Sequence, residues 1–126
     1  MSKPSIYPVV PYRDVAGAIA FLCEALGFAP HLVVKDPAGR VQHAELALDD
    51  GAGGLVMPIE SADPAPMWLI VRVADLDGHH ARAVAAGARV LHEPRATGYG
   101  GRDYTVVDPA GHHWTVSTYD PYAPVS

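Results

Sequence analysis

A histidine and a glutamate two residues apart, His43 and Glu45 in QHAELAL, are the pair best placed for chemistry in this sequence. On a strand, side chains two positions apart leave the same face, so this imidazole and carboxylate can meet. They can then act as a general acid–base pair, supply two ligands to a metal, or stand as a plain hydrogen-bonded couple. The adjacent pairs His79-His80 and His112-His113 are weaker candidates, because neighbours diverge by about 100° on a helix and point to opposite faces of a strand. Neither pair can chelate one ion by itself. His80 falls on the apolar stripe of a helix and is expected in the core, whereas alternation puts His113 on the same side as Thr115. Cys23, inside AIAFLCEALGF, has no neighbouring His or CxxC partner and is expected to be a packing cysteine. Ser61 and Ser117 lie in no strand-turn-helix elbow, so no serine nucleophile is indicated. The glycine-rich TGYGGR, residues 97–102, precedes the strand-like DYTVV rather than a helix. It is therefore expected to be a flexible loop or lid and not a phosphate cradle.

The elements that must position these residues come in two similar sets. Asp14 precedes VAGAIAFLCEALG, where Val15, Ile19, Leu22 and Leu26 recur at helical spacing before Gly27. Asp75 precedes LDGHHARAVAAG, where Leu76, His80, Ala83 and Val84 recur at the same spacing before Gly87. Each helix follows a β-rich segment, IYPVVPY or MWLIVRV. Each is followed by strand-like runs: HLVVK, VQHAELAL and GLVMPI in the first half, RVLHE, DYTVV and HWTVST in the second. The tetrapeptide DPAG stands between two such runs at 36–39 and again at 108–111, where its Asp, Pro and Gly suit a hairpin turn. On the last strand, Trp114 and Val116 alternate with His113, Thr115 and Ser117, giving one apolar and one polar face. The predicted fold is α+β, with two tandem βαβββ modules at 5–60 and 67–120 joined by the proline-containing linker 60–66 in a single domain spanning 1–126. The modules are expected to form a curved mixed sheet, helices on its outer face and a cleft on its inner one.

Composition narrows the function classes. With 126 residues, 49% of them hydrophobic, the chain has enough apolar surface for one core. The net charge of −5 is scattered rather than clustered, so neither nucleic acid nor an anionic membrane is an expected partner. No apolar run is long enough for a membrane span, and the N-terminus lacks a signal-peptide pattern, so a cytoplasmic protein is expected.

The repeated module, DVAGAIAFLCEALGF near the start, HAELAL in the middle and DPAGHHWTVST at the end together resemble the vicinal oxygen chelate superfamily, which includes glyoxalase I, bleomycin-resistance proteins and extradiol dioxygenases. The resemblance covers nearly the whole chain and implies a homodimer. Enzymes of that superfamily hold one divalent metal with His and Glu from strand positions. The resemblance carries those positions onto Tyr7, Trp68, Thr115 and Met57 here. None is an imidazole or carboxylate, so neither a metal nor another cofactor is expected.

What the resemblance leaves is a differently lined cleft. If Trp68 faces it, alternation adds Ile70 and Arg72 and sends Leu69, Val71 and Val73 beneath the helices. Tyr7, Trp68, Tyr99 and Tyr104 are then expected to stack on a flat ligand, with Arg72, Arg102, His113, Thr115 or Glu45 meeting its polar groups. The alternative for Trp68 and Tyr7 is to fill the cleft or close over an interface. Three functions are open: a metal-independent protein binding an aromatic or amphiphilic small molecule, of the bleomycin-resistance type; a glyoxalase-like lyase or dioxygenase with a displaced metal site at His43, Glu45 and His113; and a scaffold whose cleft its own side chains fill.

Overall fold

The computed structural model describes residues 3–48 and 51–123. In chain order the elements are β1 (Val9–Tyr12), α1 (Val15–Leu26), β2 (Ala29–Lys35), β3 (Val41–Leu48), β4 (Gly54–Glu60), β5 (Trp68–Arg72), α2 (Leu76–Ala85), β6 (Arg89–Ala96), β7 (Arg102–Val107) and β8 (His113–Ser117). The fold is α+β, and both halves run βαβββ. The chain divides into two compact units, 1–66 and 67–126. Each has its own four-stranded sheet, ordered β1-β4-β3-β2 in the first and β5-β8-β7-β6 in the second. In each sheet the strand before the helix pairs in parallel with the last strand, and the other neighbours are antiparallel.

The helices start where the aspartates place them. Asp14 Oδ1 accepts the Gly17 N–H at 2.9 Å, and Asp75 Oδ1 accepts the Gly78 N–H at 3.0 Å, each satisfying a donor that the first helical turn leaves free. Gly27, at φ 80°, ends α1 in the left-handed conformation that a side chain resists. The inner stripe of α1 is Val15, Ala18, Leu22, Ala25 and Leu26, with Ile19 at its margin. The stripe of α2 is narrower than its spacing predicts: Leu76 and Ala83 are buried, but Val84 is 50% exposed.

The two DPAG turns repeat one another atom for atom. Asp36 Oδ1 accepts the N–H groups of Ala38 and Arg40, and Asp108 Oδ1 accepts those of Ala110 and His112. Six residues after each aspartate its other carboxylate oxygen finds a donor, Gln42 Nε2 at 3.3 Å in the first unit and Trp114 Nε1 at 3.0 Å in the second. The second copy is the buried one. Trp114 is fully enclosed, along with Tyr104, Val106 and Val116, in the core between α2 and its sheet.

Candidate binding site on the sheet faces

In the second unit, strand alternation separates the two sides of β5. Val71 is buried toward α2, whereas Trp68 is 67% and Ile70 69% exposed on the far face, with Arg72 also exposed. Trp68 does not hang free. Its ring stacks on that of His113, centroids 4.8 Å apart and planes at 24°, because register sets these two residues side by side on β5 and β8. Its Nε1–H donates to Thr115 Oγ1 at 2.8 Å. Thr115 Oγ1 is 2.8 Å from Thr105 Oγ1, which is 3.0 Å from His92 Nε2. An indole N–H can only donate, so Trp68 donates to Thr115, and with the His92 proton on Nδ1 a consistent train runs on from Thr115 to Thr105 and from Thr105 to His92 Nε2. The opposite ring nitrogen, Nδ1, then has its hydrogen free for the Glu93 carbonyl 3.1 Å away. Every hydroxyl in this train is satisfied, and one indole face is left as a fixed plate.

Two expected site residues lie on the other side of this sheet. Tyr104 is fully buried, opposite Val116 in register, with its hydroxyl 2.5 Å from His79 Nδ1 and the ring of His80 edge-on to its own at 5.0 Å. It is a core residue on the α2 side, and burial pushes its phenol well above the ordinary tyrosine range. Arg102 leaves β7 on the same side as Tyr104 and reaches Asp77 of α2, Nη1 to Oδ2 at 3.2 Å. The expectation that Tyr104 and Arg102 share a face with Trp68 is thus corrected. β7 is in the opposite phase, and it is Asp103 and Thr105 that stand with Thr115. Tyr99 is 60% exposed in the loop after β6, its ring edge-on to Tyr119. His80 Nε2 lies 2.7 Å from Glu93 Oε2, a close charge contact in which the ring nitrogen makes no hydrogen bond.

In the first unit the predicted pair meets. His43 Nε2 and Glu45 Oε2 are 2.7 Å apart on β3. His31, which the sequence did not single out, brings a second imidazole to the same carboxylate, Nε2 to Oε1 at 3.9 Å. It sits at the register shift between Pro30 and Leu32, so simple alternation could not have placed it. Leu32 and Val34, opposite Glu45 and His43, are 46% and 43% exposed and make the surroundings of the pair apolar. Tyr7 stands before β1 rather than on it, and its hydroxyl donates to the Pro4 carbonyl at 2.8 Å. Away from this pair, a recess of about 370 Å³ lies among Val15, Gln42, Pro58 and the Arg40–Glu60 ion pair, whose carboxylate holds the guanidinium above its ordinary value.

The positions that the family resemblance assigns to metal ligands do not fit a divalent cation. The Trp68 N–H has no lone pair to give and is bonded to Thr115, and Tyr7, Met57 and Thr115 add no imidazole or carboxylate. Among the described residues, no three His, Cys, Asp or Glu side chains are grouped to hold an ion. No helix of the described residues is long and apolar enough to cross a membrane.

Comparison with known proteins agrees with this architecture. Residues 6–116 match the family model described as the Glyoxalase/Bleomycin resistance protein/Dioxygenase superfamily. An uncharacterized protein of Mycobacterium bovis is 31% identical over 125 residues, 90% of this chain and 82% of the relative. The crystal structure of TioX from Micromonospora sp. ML1 superposes with a TM-score of 0.79 at 29% identity, covering 90% of this chain and 97% of that one. A bleomycin resistance determinant encoded on the transposon Tn5 shares the fold, with a TM-score of 0.72 at 22% identity over 93% of this chain and 98% of its own.

Proposed function

Starting from its membership of the glyoxalase/bleomycin resistance protein/dioxygenase superfamily, we propose that this chain is a small-molecule-binding protein that holds an aromatic or amphiphilic ligand without a metal. The observation that carries the reading is the fixed, two-thirds exposed indole of Trp68, stacked on His113 and bonded to Thr115. An aromatic plate whose rotamer is already set loses little entropy when a flat ring stacks on it. Trp68, Arg72, His113 and Thr115 form or support this surface, and Tyr7 and Tyr99 are exposed aromatic groups available to a ligand. The protein is proposed to act in the cytoplasm as a homodimer. Exposed Trp68, Ile70, Leu32 and Val34 are apolar surface of the kind that a partner or a ligand covers.

A second reading has one observation in its favour, the 2.7 Å contact of His43 with Glu45. Such a pair can move a proton, which fits a lyase-type step of the same superfamily. Its metal-dependent form would need further ligands, and His113, the third residue considered for it, is stacked on Trp68 in the other unit.

The test uses protein purified without added metal or a metal-binding tag. Elemental analysis is expected to give well under one divalent ion per chain, a chelator to leave Tm unchanged, and a naphthalene-bearing probe to quench Trp68 saturably. One tightly held ion per chain with Tm falling on chelation would overturn metal independence. Absence of saturable quenching would overturn aromatic binding.

A further inference from the structure

Register arranges the face away from α2 in rows that cross the strands. One row runs Trp68, His113, Val107; the next, Ile70, Thr115, Thr105, His92; the last, Arg72, Ser117, Asp103, Arg95. Along β5 this makes a stripe of ring, apolar branch and guanidinium, all three exposed. Rows two residues apart are separated by about 6.5–7 Å, so the ring and the cation are rooted about 13 Å apart along the strand. We infer that this stripe selects an elongated aromatic anion: a flat ring on Trp68, an apolar spacer over Ile70, and a carboxylate or similar group at Arg72. The inference rests on the proposed aromatic-binding function and adds the charge and length of the ligand.

Charge complementarity decides for an anion. Asp103 is the carboxylate in the charged row, and it is met from β6, where Arg95 stands opposite it in register and His92 Nε2 lies 3.7 Å from its Oδ1. Arg72 makes no ion pair among the described residues and sits on β5, beside the hydroxyl residue Ser117 of β8. The row therefore carries more cationic than anionic side chains although the whole chain carries −5. A planar fork of donors favours a carboxylate over an amide and repels an ammonium group.

Calorimetry with three matched probes tests this: 6-(2-naphthyl)hexanoate, its primary amide and the corresponding amine. The carboxylate is expected to bind about three- to tenfold more tightly than the amide, with the amine weakest. Arg72→Gln should weaken the carboxylate by about three- to tenfold and the amide distinctly less, so that the two converge, while Trp68→Leu should weaken all three by about three- to tenfold. A carboxylate no tighter than the amide, or one indifferent to Arg72→Gln, would overturn the anion inference and leave aromatic binding standing. Failure of all three probes to bind, or affinities untouched by Trp68→Leu, would overturn the aromatic reading itself.

Discussion

Replacing the two tryptophans one at a time should separate folding from binding. Trp114 is fully buried and its indole N–H donates to Asp108, which also organises the turn leading into β8. Trp114→Ala should cost about 3–5 kcal/mol as a large-to-small core change, with about 1.5–3 kcal/mol more for the lost bond to a carboxylate. That approaches the whole stability of a small domain, about 5–15 kcal/mol, so Trp114→Phe, which loses mainly the hydrogen bond, is the measurable companion. Trp68 is 67% exposed, so only about a third of its surface is covered. At about 25 cal/mol per Å² and roughly 250 Å² for a large aromatic side chain, Trp68→Ala should cost about 2 kcal/mol in burial, with about 0.5–1.5 kcal/mol more for the lost bond to Thr115, less in all than Trp114→Ala. Urea unfolding followed by circular dichroism measures both. Emission gives an independent check, since Trp68→Phe leaves the enclosed, blue-shifted Trp114 and Trp114→Phe leaves the red-shifted Trp68. If Trp68→Ala proved the more damaging change, the strand phase argued for β5 and β8 would be wrong by one residue and the proposed binding face would be the core.

Alkaline stability should follow Tyr104. Its phenol is raised in the folded state above its unfolded value, so its contribution is intact below about pH 10 and is lost as pH climbs beyond it; Tyr104→Phe should flatten the fall seen in urea midpoints between about pH 9 and 11, and an unchanged slope would refute the assignment. Gly78 tests the helix cap. A Cβ there would lie 2.2 Å from the Asp75 carboxylate, so Gly78→Ala should fail to give the roughly 1 kcal/mol gain usual for this change in a helix. The gain should reappear in an Asp75→Ala background, and a full gain with Asp75 in place would show that the cap is dispensable.

Much of this architecture was written locally in the chain. Asp14, Asp75 and Gly27 bound the helices because capping involves atoms within one turn, and the DPAG turns close through bonds spanning no more than four residues. The phase of β5 was also legible, since Leu69 and Val71 alternate with Trp68, Ile70 and Arg72. β7 was not. In RDYTVV both faces carry groups fit for either side, and pairing with β8, which sets Tyr104 against Val116 and Thr105 against Thr115, chose between them. The irregularities of register beside His31 and His92 likewise break the period of two on which a sequence reading depends. The train from Trp68 through Thr115 and Thr105 to His92 joins four strands, and no spacing along the chain announces it. Sequence determined the elements because their signals are short-range. Only the tertiary structure decided which side chains share a face, because hydrogen bonds between strands distant in the chain fix the register, and a shift of one residue exchanges core for surface.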